Sequence, residues 1–290
     1  MKEQLQAALM ERIGQYAGKE ETDGKVASKL TCLSKRHASA VKVNGTGRIS
    51  RQENSGDHTH IYYSVHMKYL IKQLELMYIE EELEERKASF YKGQLYEDIE
   101  LERPMTADDS EGAEPEGTDS ESRIVYEYDR LKAVQYAERW WNDYNPAYRK
   151  FDVDCTNYIS QCLRAGQAPM RGYPNRSKGW WMQQNNWSYS WAVAHSLRMY
   201  LGHSTIGLRA REVSSADELQ LGDVICYDFQ GDGRYDHNTI VTGKDALGMP
   251  LVNAHTYNSR ARYWAYEDSS AYTPNIQYRF FTIVDDSARF

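Results

Sequence analysis

Residues 106–122 hold seven carboxylates, no lysine or arginine and almost no apolar side chain. Such a stretch cannot bury enough surface to offset the entropy of ordering it, and reads as a linker. A surface loop inside one domain is the weaker alternative, because structureless connections beyond roughly 15 residues are uncommon in compact domains. The 290-residue chain therefore divides into an N-terminal α+β domain over 1–105, an acidic linker over 106–123 and a C-terminal domain over 124–290.

The same stretch accounts for the net charge of −7, and the rest of the chain is balanced. With no basic surplus to neutralise phosphates, a nucleic-acid partner is not expected. No uninterrupted apolar run is long enough for a membrane span, and the start Met1-Lys2-Glu3-Gln4-Leu5-Gln6 lacks the pattern of a secretory signal. The expected location is cytoplasmic, or extracellular and cell-wall associated where a leader has been removed. Four cysteines are present, Cys32, Cys155, Cys162 and Cys226. Cys155 and Cys162 on one helix would stand roughly 10 Å apart, beyond disulfide reach. His58, His60 and His66 alternate along one strand face without a carboxylate or cysteine to complete a zinc set, so they read as a solvated face. No cofactor or metal is expected.

In the N-terminal part, Leu5, Leu9, Ile13 and Tyr16 fall at helical spacing. From Thr59 to Ile71 the period changes to two, with Thr59, Ile61, Tyr63, Val65, Met67, Tyr69 and Ile71 on one apolar face. A turn at Asn54-Ser55-Gly56-Asp57 pairs this strand with the one before it. Between Leu74 and Phe90, with Glu80-Glu81-Glu82 and Glu84-Glu85, periodicity leaves an edge strand and a charged helix both open. A helix packed on an antiparallel sheet is the expected arrangement.

The C-terminal part carries the chemistry. Leu131, Val134, Ala137, Glu138 and Trp141 outline a helix that ends before the turn Asn145-Pro146. The segment Asp154-Cys155-Thr156-Asn157-Tyr158-Ile159-Ser160-Gln161-Cys162-Leu163 then reads as a helix that opens on a cysteine and closes at Gly166. The first turn of a helix leaves N–H groups unpaired and carries roughly half a positive charge, which favours a thiolate. Two later strands offer partners. In Asp236-His237-Asn238-Thr239-Ile240-Val241, His237, Thr239 and Val241 share a face; in Leu251-Val252-Asn253-Ala254-His255-Thr256, so do Leu251, Asn253 and His255.

These segments, with Tyr189-Ser190-Trp191, Leu221-Gly222-Asp223-Val224 and Gly231-Asp232-Gly233-Arg234-Tyr235-Asp236-His237, resemble the putative amidase domain family within the papain-like NlpC/P60 and CHAP group of cysteine hydrolases. The resemblance runs from about Tyr128 to Tyr278-Arg279-Phe280-Phe281 and leaves the first 120 residues uncovered. It implies an α+β, papain-like fold in which the nucleophile opens a helix packed on an antiparallel sheet. It also implies cleavage of amide bonds in peptides, cell-wall peptides of peptidoglycan among them. Cys155 is then the nucleophile and His237 its base, with His255 as the orienting third member and Asn253 as the alternative. The backbone N–H of Cys155 and the side chain of Asn157 are the candidates for an oxyanion hole.

Each residue has a plainer reading beside this one. A cysteine on a helix is more often packing than nucleophile, and Cys162 and Cys226 keep that reading. His195 and His203 read as satisfied polar residues. Asp228, Asp232 and Asp236 around Gly231 and Gly233 are similar to a calcium loop without its closing glutamate, and a turn explains the glycines equally. Trp181 and Trp191 are candidates to wall a substrate groove, although aromatics at this density more often build core. Two other functions stay open: an inactive module that binds a peptide or glycan, and an acyltransferase using the same thioester.

Overall fold

The computed structural model describes residues 1–16, 24–101 and 124–287. In chain order the elements are α1 (Lys2–Gln15), α2 (Gly24–Lys35), β1 (Ala38–Ser55), β2 (His58–Gln73), β3 (Leu76–Tyr91), β4 (Gln94–Glu100), α3 (Arg130–Trp140) and α4 (Cys155–Ala165). There follow β5 (Met182–Gln183), β6 (Asn186–Trp187), α5 (Tyr189–Ala192), α6 (Ala194–His203), β7 (Arg209–Val213), β8 (Val224–Asp228), β9 (His237–Lys244), β10 (Pro250–Ala254), β11 (Ser259–Tyr263) and β12 (Gln277–Val284). They form two compact units, Met1–Arg103 with Tyr257–Ser270, and Pro104–Thr256 with Ala271–Phe290. Residues 257–270, which the sequence places with the C-terminal domain, thus group with the first unit. The acidic stretch 106–123 lies outside the described residues.

In the first unit β1 to β4 run antiparallel in sequence order. Gly56 and Asp57 make the tight connection between β1 and β2, and Gly56 supplies the positive φ it needs. The period-two row on β2 is the core: Ile61, Tyr63, Val65, Met67, Tyr69 and Ile71 are at most 5% exposed, packed with Leu5, Tyr16, Val26 and Leu33 from the two helices. The segment that periodicity left undecided is β3. Its register sets Glu80 opposite Tyr69, Glu82 opposite Met67 and Glu84 opposite Val65, so three buried carboxylates share a face with the apolar row.

Those carboxylates are tolerable because cations reach them. Arg12 Nη1 meets Glu84 Oε2 at 2.7 Å, Lys25 Nζ lies 2.9 Å from Glu84 Oε1 and 3.1 Å from Glu100 Oε2, and Lys29 pairs with Glu80. Lys29 also meets Asp268 at 2.8 Å, and Asp268 is clamped by Arg262 at 2.8 Å. β11 brings this arginine, and the segment after it this acid, to the side of β3, with Ser259 opposite Glu82 and Arg260 opposite Glu81.

The second unit is α+β, with an antiparallel sheet in the order β10-β9-β8-β12-β7. Ile159, Cys162 and Leu163 of α4 pack with Val224, Cys226, Ile240 and Phe281 from the sheet. α3 covers α4 through two small residues, Ala133 and Ala137, both fully buried, while Leu131 is 65% exposed. The close approach is fixed by Tyr158, whose hydroxyl donates to the Ala137 carbonyl at 2.8 Å. At the far end of α4, Gly166 leaves room for the Tyr128 ring and the Ala133 methyl. Among the described residues no helix is long and apolar enough to cross a membrane.

Candidate active site

Cys155 is the first residue of α4 and only 1% exposed. Its backbone N–H donates to Thr256 Oγ1 at 3.2 Å, and so does that of Asp154 at 3.1 Å. Its sulfur lies 3.7 Å from Thr156 Oγ1 and takes a backbone hydrogen bond from Asn238. Burial pushes the thiol above its ordinary range, and the donors on Thr156, Asn238 and Thr256 offset only part of that. This corrects the expectation of a lowered thiol: at the end of a helix closed off from water, loss of solvation outweighs the helix field.

The residue before the cysteine organises the helix start. Asp154 Oδ1 accepts the Phe151 N–H at 3.0 Å and the Asn157 amide at 2.9 Å, while Oδ2 faces His255 Nδ1 at 2.8 Å. His255 Nε2 faces the Trp140 carbonyl at 2.7 Å, and the ring stacks on Tyr158 with centroids 4.0 Å apart. Both polar neighbours of the imidazole, the Asp154 carboxylate and the Trp140 carbonyl, are acceptors.

His237 opens β9 and is fully buried. It stands opposite Tyr227 on β8, and its ring lies 5.7 Å from Tyr227 and 6.2 Å from Phe229. Alternation along β9 sends Asn238 and Ile240 toward α4 and His237 and Thr239 to the other face. Asn238 donates through Nδ2 to Thr156 Oγ1 at 2.9 Å, and Ile240 packs in the α4 core. The residue adjoining His237 in the chain therefore holds the sulfur, while the His237 ring turns to the opposite face.

The other expected residues fall as follows. Asn253 donates to Glu138 Oε1 and accepts from Thr242 Oγ1, both at 2.9 Å. Asn157 accepts from Trp191 Nε1 at 2.9 Å and donates to the Arg149 carbonyl as well as to Asp154, so its amide is committed within the helix start. Trp191 is fully buried and Trp181 1% exposed, with the Trp181 indole N–H held by the Asn175 and Lys178 carbonyls. Both lie in packed surroundings. Asp228 accepts the N–H groups of Gly231, Asp232 and Gly233, which closes the glycine loop with protein donors alone. Among the described residues no His, Cys, Asp and Glu cluster forms a metal site. Asp154, Asn238 and Thr256 have no role in the sequence reading, although each adjoins a residue that does.

Residues 127–281 match the model of a family described as Putative amidase domain. The chain belongs to that family. The match begins just before α3 and ends within β12, so it takes in the cysteine helix and both histidine-bearing strands. The chain is 52% identical over 270 residues to the uncharacterized protein YhbB of Bacillus subtilis (strain 168), covering 90% of this chain and 86% of that one. It is 30% identical over 140 residues to the uncharacterized protein YjcM of the same organism, covering 45% of this chain and 31% of the relative. No solved structure matches the chain. Membership of an amidase family makes hydrolysis of amides the chemistry to be explained.

Proposed function

We propose that the second unit is a papain-like cysteine hydrolase of the NlpC/P60 and CHAP type, cleaving an amide bond in a peptide, with peptidoglycan peptides the leading substrate class. One observation carries the reading: the thiol that opens α4 is held by Asn238, the residue next to His237, beside the buried pair Asp154–His255. Nucleophile and an orienting charge thus meet at one helix start, and the strand that carries the candidate base runs beside it.

In this mechanism the His237 ring turns toward the sulfur and takes its proton, and the thiolate attacks the amide carbonyl. The C–N bond breaks as His237 returns the proton to the leaving amine, and water then cleaves the thioester to release the acid. Asp154 and His255 keep Cys155 in place at the head of the helix; Asn253, bound to Glu138, serves the strand that carries His255. Asn157 and Trp191 hold the same helix start from below.

A second reading rests on the 1% exposure of Cys155: a closed, dry thioester site favours an amine over water as acyl acceptor, which is acyl transfer. The closed thiol also suits a binding module without catalysis. The deciding experiment incubates the protein with muropeptides and a mixed peptide library, follows products by mass, and traps the acyl-enzyme on Cys155 by acid quench. Hydrolysis that falls by about 10²–10⁴-fold in His237→Ala and disappears in Cys155→Ala supports the proposal. Products carrying an added amine identify a transferase. Binding without any product in wild type leaves the module reading.

A further inference from the structure

Two backbone N–H groups at the head of α4, those of Asp154 and Cys155, converge on a single oxygen, Thr256 Oγ1, at 3.1 and 3.2 Å. Two donors aimed at one oxygen beside a nucleophile is the geometry that stabilises a developing oxyanion. The oxygen belongs to a side chain from another strand end, and it reaches this place at a conformational cost. Thr256 sits at φ 77° and is 2% exposed. A β-branched residue in the left-handed region is strained, and such strain persists only where surrounding contacts hold it.

A second observation indicates that a polar ligand group belongs here. Asn238 is fully buried on the face of β9 that meets α4, and its Nδ2 is bound to Thr156, the residue after the nucleophile. Its Oδ1 has no hydrogen-bond partner. A buried acceptor without a donor is costly unless something supplies one, and an amide substrate brings its own N–H.

We infer that the N–H groups of Asp154 and Cys155 are the oxyanion hole, and that the Thr256 hydroxyl is a stand-in for the substrate carbonyl oxygen that substrate must displace. The inference rests on the reading of Cys155 as nucleophile and replaces Asn157 with Asp154 as the second donor. On acylation the sulfur bonds to the carbonyl carbon, the C=O electron pair moves onto oxygen, and that oxygen takes both N–H bonds. Thr256 withdraws and its backbone is free to leave the strained conformation. Charge-assisted bonds to an oxyanion are stronger than the neutral bonds to a hydroxyl, so the exchange favours the tetrahedral state.

The test compares N-acetylglycinal, an aldehyde whose adduct places an oxygen anion-like at the hole, with iodoacetamide, which alkylates without forming one. Aldehyde affinity is read as protection of Cys155 from iodoacetamide, in wild type, Thr256→Ala, Thr256→Gly and Thr256→Ser, with each value divided by any change in the alkylation rate itself. Removal of the competing hydroxyl should tighten aldehyde binding about tenfold in the Ala and Gly variants, the worth of one hydrogen bond, with Thr256→Ser near wild type. In the wild-type protein, which needs no variant to fold, aldehyde addition should shift the amide proton resonances of Asp154 and Cys155. Equal or weaker aldehyde binding in Thr256→Ala, or unmoved resonances of those two amides when the adduct forms, overturns the assignment while leaving Cys155 a nucleophile. A Cys155 inert to both reagents in every protein removes the nucleophile reading and this inference with it.

Discussion

Asp154 and His255 are 101 residues apart in sequence and meet with Oδ2 2.8 Å from Nδ1, both side chains almost wholly buried. Removing one member of such a pair leaves the other without compensation in a dry site. Asp154→Asn should lower stability by about 3 kcal/mol, read from the urea midpoint. Combined with His255→Gln the loss should be clearly less than the sum of the single losses, and an additive double-mutant cycle would show the pair to be uncoupled.

The pH response of Cys155 follows from its burial. The folded protein raises this thiol, so its contribution to stability is complete below the unfolded thiol value and is lost as pH climbs through the folded one. Alkylation of ligand-free protein by iodoacetamide should therefore still be rising beyond about pH 8.5, the range of a free thiol. A labelling rate that levels off near neutral pH would contradict the closed site.

In the first unit, Lys29 lies between Glu80 and Asp268. Lys29→Met should cost about 3–5 kcal/mol, because two buried carboxylates lose their shared cation. Burial acts to raise Glu84, yet Lys25 and Arg12 outweigh it and hold that group down at about 2; Arg262 and Lys29 likewise depress Asp268. Groups lowered in the fold stabilise above their unfolded values and cease to do so as pH falls toward the folded ones. Protection of β2 and β3 amides from hydrogen exchange, taken relative to the intrinsic rate at each pH, should accordingly fall between about pH 4.5 and pH 2.

Gly166 ends α4 with the Tyr128 ring and the Ala133 methyl against it, the latter 3.1 Å from where a Cβ would stand. Its φ is −73°, so the constraint is space rather than backbone conformation. Gly166→Ala should destabilise the second unit by about 1–3 kcal/mol through overpacking, and Gly166→Ala with Tyr128→Leu should recover part of it in thermal melts.

The parts of the molecule governed by local periodicity were legible in its residues. The apolar row from Ile61 to Ile71, the turn at Gly56 and the helix running from Cys155 to Gly166 all follow from spacing of two or of three and four. β3 was not, because its buried face is built from Glu80, Glu82 and Glu84, and the cations that permit this come from Arg12, Lys25 and Lys29, more than 50 residues away. On α3 Ala137 is buried as expected, but its companion on the inner face is Ala133 and not Leu131, since only small residues let two helices approach so closely. The roles of Asp154, Asn238 and Thr256 depend on a meeting of three chain segments, and the positive φ of Thr256 has no signature in a β-branched residue.

The chain enters the first unit twice, once over its first hundred residues and again at 257–270, where β11 lies against β3 and Asp268 accepts from Lys29. A single cut between positions 102 and 123 would therefore yield two fragments that remain one particle, knitted by strand pairing and buried charge. Neither fragment alone is a complete architectural piece: the first lacks a strand and one of the two acids that pair with Lys29, and the second carries that strand without β3. Expression of the family-matching half alone leaves an adhesive edge, and a protein made as two co-expressed polypeptides should assemble where the isolated half aggregates.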